Sequence, residues 1–311
     1  MSSIKYALLA PLMAISAFTM AAEPVDQQQD VAANPNVSVK VQRGNVSFVS
    51  WDKNSIQVKG ELDELSEGFI FDVKGNSVVI EDKLPRSYQG NNKQGSQLTI
   101  YLPSQLNLDA QGVSTEVTLS KLSGQIAIAL VSGNIGATQL NGSNKLTTVS
   151  GNINSKQLSG KINLETVSGD IDDNSSQGEA EFRLVSGELE THSDFTQVSI
   201  DQVSGDIEAT LKQINQINLV TISGDANINL GAQLSKGHLE TISGDLTMAF
   251  SAAPNLSFMI DGGPGGKIDN QLTDDKPIKQ KYSSSQSLQF KSLSGDGQVN
   301  INTISGRISL K

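Results

Sequence analysis

VSGNIGATQLNGSNKLTTVSGNINSKQLSGKINLETVSGDI, residues 131–171, repeats one phrase: an aliphatic residue, Ser, Gly, Asn or Asp, then Ile. Counting outward, its central copies start at Val131, Val149, Val167, Val185, Val203, Ile222 and Ile242. Successive starts are 18, 18, 18, 18, 19 and 20 residues apart. Flanking copies start at Leu122, Leu158, Leu293 and Ile304. A fixed period of this size marks one supersecondary unit stacked on copies of itself.

Let the aliphatic residue be position 0. Ile or Leu then usually stands at +4, and Leu146, Leu164, Phe182, Ile200, Leu219 and Leu239 stand at −3. Read by hydrophobicity, positions 0 and +4 are expected to point inward, because burial of each is worth roughly 1.5–3 kcal/mol. The +2 glycines (Gly133, Gly151, Gly169, Gly187, Gly205, Gly224 and Gly244) are expected to form corners that a Cβ would resist. Early copies also recur at nine residues, so one coil holds two half-units, each a short strand and a corner. The expected fold is all-β: a β-solenoid, right-handed β-helix-like, with 18–20-residue coils of two short strands and an N-terminal β cap. No apolar stripe of helical period persists.

Outside the repeat, residues 1–22 read as a signal peptide. Lys5 precedes an almost unbroken apolar or small stretch from Tyr6 to Met20, and Ala21–Ala22 offers the cleavage site. An uncleaved anchor fits less well, since the run is shorter than the roughly 20 apolar residues of a span and contains Pro11. No integral membrane segment is expected after cleavage. Residues 23–35 read as a disordered linker, being polar and poor in apolar residues. Period-2 alternation in 36–110, with turns at Gly44–Asn45, Lys53–Asn54 and Gly75–Asn76, reads as a β region capping the solenoid. Residues 84–97 read as a polar loop. Residues 111–311 are the solenoid, interrupted by an irregular insertion at 247–290, and the last strand is expected at its outer edge.

Composition excludes several function classes. The 311 residues contain no cysteine, which removes disulfides, thiolate metal sites and thiol catalysis. The formal charge is −10, and losing Lys5 makes it −11, so nucleic acid and simple adsorption to anionic lipid are not expected. His192 and His238 have no metal-pair spacing, and Ser50–Lys53 fits S-x-x-K by letter alone. Trp51 reads as a packing residue in the cap. The Thr column at −1 is too broken, by Gln157, Leu184 and Gln202, for an ice-binding face.

The one suggestive surface feature is position +3: Asn134, Asn152, Asp170, Glu188, Asp206, Asp225 and Asp245. Stacked in register, the five acids stand about 4.8 Å apart and repel by about 1 kcal/mol per neighbour in water. Two readings stay open. Asx residues suit corners by accepting local backbone hydrogen bonds. Alternatively, Asp170, Glu188, Asp206, Asp225 and Asp245 form a candidate cation or ligand surface that binds cations such as Ca²⁺ or docks a basic partner, although one carboxylate per coil is few for Ca²⁺.

The repeated VSGDI and VSGNI, LTIYLPSQLNLDAQG (98–112), GNVSFVSWDKNSIQVKGEL (44–62) and the ending INTISGRISL (301–310) resemble the bacterial DUF4097 family of candidate adhesins, related to the DUF2807 head-domain adhesins. The resemblance implies a β-helical, non-enzymatic envelope or surface protein and carries over no catalytic residue. The expected function is an exported binding or structural module, periplasmic or at the cell surface. It has no cofactor, and its partner is an unknown envelope protein, a glycan or another copy of itself. The alternatives are a periplasmic sensory role in envelope stress and a polysaccharide lyase or hydrolase built on a β-helix.

Overall fold

The computed structural model describes residues 22–86, 94–279, 281–282 and 284–311. The expected leader therefore lies outside the described residues except for Ala22. Regular structure among the described residues is all β, with strands running from Pro24–Asp30 to Gly297–Leu310.

The repeat makes a solenoid-like stack of coils. Asn141–Ser150 pairs in parallel with Ser159–Ser168, placing Leu146 on Leu164 and Thr148 on Thr166. Ile153–Lys156 pairs in parallel with the start of Ile171–Ser186, placing Ile153 on Ile171. An offset of 18 residues thus puts each side chain on its counterpart in the next coil, and a continuous core runs through the stack.

Each coil turns two different corners. At one, Lys121, Gln139, Gln157 and Ser175 adopt left-handed φ values of 56–59°. That turn sends the following residue inward, so Leu122, Leu140, Leu158 and Ser176 are buried. The left-handed amides stay paired: Gln139 N–H donates to the Lys156 carbonyl at 2.9 Å. The longer coils add their extra residues at this corner, where Ile214 and Leu234 supply the buried side chain.

The other corner is the Ser-Gly phrase, and here one expectation is overturned. Position 0 points outward. Val131, Val149, Val167, Val185, Val203, Ile222, Ile242 and Ile304 are 43–53% exposed. Side chains alternate along a strand, so residues three apart lie on opposite faces. With Leu146 and Thr148 buried, Val149 must face solvent. Two flanking copies differ, because Leu122 and Leu158 occupy the first kind of corner and are fully buried. Leu293 belongs to no coil corner. It lies in a turn whose Ser294 Oγ and Gly295 N–H both donate to Asn255 Oδ1 at 2.7 Å.

Both ends depart from chain order. The coil made of Asn36–Val41 and Arg43–Trp51 pairs on one side with Gln105–Ser120. On its other side it pairs with Ser77–Lys83 and Ser96–Pro103. Residues 36–110 thus continue the stack, and Gly44 (φ 116°) is a corner inside Arg43–Trp51, not a hairpin turn. Antiparallel pairing closes this end, including the expected hairpin around Gly75–Asn76. Part of the expected linker, Pro24–Asp30, is a strand paired with Ser55–Glu61. Only Val25 in it is buried, as its backbone hydrogen bonds hold it in place. The C-terminal strand Gly297–Leu310 is not an edge either. It lies between Lys236–Ser243 with Leu246–Phe250 and Leu256–Asp261 with Gly265–Asn270. The expected insertion therefore supplies the closing strands.

Candidate binding surface

The Ser-Gly corner gives structural tasks to positions −1, +2 and +3. At −1, buried Thr148 donates its hydroxyl to the Gly133 carbonyl of the preceding coil at 3.0 Å, and Thr166 does the same to Gly151 at 3.3 Å. Gln202 uses its amide for the same purpose on Gly187 at 3.0 Å. At +2, glycine permits coils to touch. A Cβ on Gly169, whose φ is 153°, would stand 2.0 Å from the Gly151 carbonyl oxygen.

At +3 the close approach leaves an amide that the side chain below it accepts. Asn134 Oδ1 accepts from Asn152 N–H at 2.9 Å, Asn152 from Asp170 at 2.9 Å, and Asp170 from Glu188 at 3.0 Å. Asp206 accepts from Asp225 at 2.9 Å, Asp225 from Asp245 at 2.8 Å, and Asp245 from Arg307 at 2.8 Å. The candidate cation column, Asp170, Glu188, Asp206, Asp225 and Asp245, is therefore stacked in register and exposed, with one oxygen of each Asp engaged by backbone. No group of three or more His, Asp or Glu side chains among the described residues is placed to hold a metal ion.

The corner also exposes what the sequence reading missed. Position 0 forms a rail: Val113, 47% exposed, extends the series, because Ser114 stacks on Ser132 next to it. The rail thus has nine β-branched aliphatic side chains, from Val113 to Ile304, bracketed by the registers of positions −1 and +1. At about 4.8 Å per coil it runs about 38 Å. Beside it stands the equally exposed +1 column of serines, including Ser132, Ser150, Ser168, Ser186, Ser204 and Ser223. The signal was legible: position 0 lies at odd spacing from buried position −3.

Acids border the rail. Beyond the +3 column, Asp172, Glu190 and Glu208 occupy +5 and stack in register. Burial, Glu190 and Asp173 raise the Asp172 carboxyl above the usual aspartate value, and His192 counters part of this. His192 itself is exposed, with Nε2 3.0 Å from Glu190.

One residue inward from Asp172 is a buried polar cluster. The fully buried Asp173 carboxylate accepts from Ser155 Oγ at 2.6 Å, Ser176 Oγ at 2.7 Å, Ser193 Oγ at 2.6 Å and Thr191 Oγ1 at 3.3 Å. A second cluster anchors the N-terminal end, where Arg43 forms an ion pair with buried Asp63 and Ser96 Oγ donates to buried Asp82 at 2.6 Å. Both are enclosed by protein and serve the fold. On the long-strand face, a shallow depression of about 550 Å³ is lined by Lys161, Glu179, Gln197, Gln216, Lys236 and His238, among others. Trp51 stacks on Tyr101 at 5.4 Å with Lys53 Nζ 4.6 Å from its ring, which places the Lys of S-x-x-K in local packing.

No curated protein matches this chain. Among solved structures, a candidate adhesin of Parabacteroides distasonis is 11% identical over 93% of this chain and 98% of its own, with a TM-score of 0.44. A candidate adhesin of Bacteroides fragilis is 13% identical over 94% and 99%, with a TM-score of 0.40. A candidate lipid-binding protein of Parabacteroides distasonis is 11% identical over 73% and 93%, with a TM-score of 0.29. The family described as Toastrack DUF4097 matches residues 18–236, more than two thirds of the chain. With the solenoid-like stack and the repeated Ser-Gly corner, this match settles the family: the chain belongs to the DUF4097 Toastrack proteins.

Proposed function

We propose that the chain is a non-enzymatic binding module, exported to the bacterial envelope or surface, that holds a partner along its Ser-Gly corner. Its action is display. Coils of one period, wound in the right-handed sense usual for parallel crossovers, offer the same groups at a fixed spacing. Among the described residues no helix is long and apolar enough to cross a membrane.

The observation that carries this reading is the rail. Nine β-branched aliphatic residues, each near half exposed, lie in one line, whereas Val79, Met259, Ile278, Tyr282 and Leu293 are exposed outside it. Scattered exposed apolar residues need no explanation, but a contiguous apolar strip on a soluble surface is a mark of an interaction site. Neighbours in the ladder cover about half of each side chain. The remainder is worth roughly 0.7–1.4 kcal/mol per residue on burial, so on the order of 6–12 kcal/mol for all nine. Association costs about 4–15 kcal/mol, so the rail alone supports a modest affinity and leaves specificity to the polar columns.

The test is capture from envelope extract by the immobilised full-length chain, read by mass spectrometry and glycan analysis. It is run beside Val149→Thr/Val167→Thr/Val185→Thr and beside Asp170→Asn/Asp206→Asn/Asp225→Asn/Asp245→Asn. Threonine keeps the β-branched shape, and Asn keeps the Oδ1 acceptor of the corner, so both variants fold. A specific partner lost by the threonine variant supports the rail as the binding surface. An identical partner list for both variants sinks it and moves the site to the depression on the long-strand face or to residues 247–290.

A further inference from the structure

We infer that the aliphatic rail and the acids beside it form a docking surface for a cationic amphipathic helix, one whose apolar stripe is edged by Lys or Arg. This rests on the reading of the rail as a binding surface and names the chemistry of what it holds.

Charge selects the partner. From Asp170 to Asp245 the rail is bordered on its +3 side by five exposed acids, with Asp172, Glu190 and Glu208 just beyond. On its −2 side stand Glu165, Asp201 and Glu240, with Arg183 as the one cation, and Arg183 is already paired with Glu181. An apolar line with an acidic column on its +3 side and a mixed, net-negative column on its −2 side repels an anionic bilayer. It also repels a second copy that brings the same acids to the same edge. It attracts a partner that places cations on either side of an apolar stripe.

Spacing selects its conformation. The rail presents one side chain about every 4.8 Å, which is the distance between coils. An α-helix presents one turn of its apolar stripe every 5.4 Å, so the mismatch is only about 0.6 Å per step. An extended strand repeats its one-sided side chains about every 6.6–6.8 Å and loses register within two steps. The corner offers no free strand edge, because its backbone amides are taken up between coils, as Gly151 N–H to the Ser168 carbonyl at 3.1 Å illustrates. A helix of about 25 residues covers the rail's length.

The experiment is fluorescence anisotropy of a labelled peptide of about 22 residues, made only of Leu and Lys with Leu on one helical face. It is titrated with the purified full-length chain. Saturable binding in the micromolar range is expected, weakening at least tenfold as ionic strength rises from roughly 0.05 to 0.5 M. Val167→Thr/Val185→Thr/Val203→Thr is expected to weaken binding at least tenfold. Asp206→Asn/Asp225→Asn/Asp245→Asn is expected to weaken it and flatten its salt dependence. Circular dichroism and melting confirm that both variants are folded.

Equal binding of a scrambled Leu/Lys peptide with no apolar face overturns the role of the rail. Equal binding of a Leu/Glu helix overturns the role of the acids. Rail-dependent capture of phosphatidylglycerol vesicles, or rail-dependent self-association in sedimentation, replaces the helix by a membrane or by a second copy. A null peptide titration combined with loss of an extract partner by the threonine variant leaves the rail as the binding surface and refutes the helix alone.

Discussion

Replacing Asp173 by Ala tests whether the buried carboxylate organises the coils around it. Its two oxygens accept four hydroxyls drawn from three successive coils. Two of those hydroxyls also accept amides: Ser176 Oγ from Leu158 N–H at 3.1 Å and Ser193 Oγ from Ser176 N–H at 2.9 Å. Ser155, Ser176, Thr191 and Ser193 are all buried, so water cannot replace the lost acceptor without opening the corner. Leaving one buried donor unpaired costs about 1–3 kcal/mol, and three short bonds are lost. Relief of the carboxylate's own desolvation offsets part of this, as it does when buried charges are removed. The expected net loss is about 3–5 kcal/mol. Urea unfolding followed by far-ultraviolet circular dichroism measures it, and a double-mutant cycle with Ser193→Ala is expected to show coupling of at least about 1 kcal/mol. A loss below about 1 kcal/mol for Asp173→Ala refutes the reasoning, because the hydroxyls then find other acceptors.

Further outcomes follow from the corners. Gly169→Ala puts a Cβ 2.0 Å from a carbonyl oxygen at a φ of 153°, and is expected to cost more than about 3 kcal/mol in the same assay. Gly136→Ala, whose nearest neighbour would be 3.6 Å away, is the control and is expected to be neutral or slightly stabilising. Thr148→Val removes the donor to Gly133 and is expected to cost about 0.5–1.5 kcal/mol. Thr221→Val removes a buried hydroxyl that has no partner and is expected to leave stability unchanged or raise it. Asp172 holds its proton more tightly folded than unfolded, so stability falls as pH rises through the window between its unfolded and folded pKa values. Asp172→Asn is therefore expected to raise the melting temperature at neutral pH, with the gain vanishing at pH below the ordinary aspartate value.

The stack was legible from the sequence because its cause is periodic. In-register pairing at 18 residues demands the same residue type at the same place, and the Ser-Gly phrase prints that demand openly. The face of position 0 was misread because hydrophobicity was taken as burial, although the spacing of Leu146, Thr148 and Val149 contained the correct parity. Asp172 and Asp173 show the same limit. They are adjacent and chemically alike, yet one lies outside and the other is sealed in the core. Only the column Ser155–Asp173–Thr191, directly in register, tells them apart. The ends were not legible for another reason. Gly297–Leu310 pairs with residues 62 positions earlier, an offset outside the period. Pro24–Asp30 buries only Val25, so no alternation announces it.

The strongest argument for a binding role is a division of labour within the corner. Position −1 holds a carbonyl in three coils, through Thr148, Thr166 and Gln202, while +2 lets the coils meet, +3 takes an amide and +4 fills the core. Positions 0 and +1 have no comparable duty, yet they are as uniform as the glycines: Val or Ile, then Ser, in coil after coil. A role confined to packing the rail against itself predicts a stability penalty when it is broken. Converting three half-exposed valines to threonine removes about one methyl's worth of partly buried surface at each, so Val149→Thr/Val167→Thr/Val185→Thr is expected to cost no more than about 1–1.5 kcal/mol in total. That is less than the single substitution Gly169→Ala. If the triple variant instead loses more than about 3 kcal/mol, the rail is holding the coils together, and its uniformity is explained by folding alone. If stability holds while the captured partner is lost, folding does not account for the uniformity and recognition does.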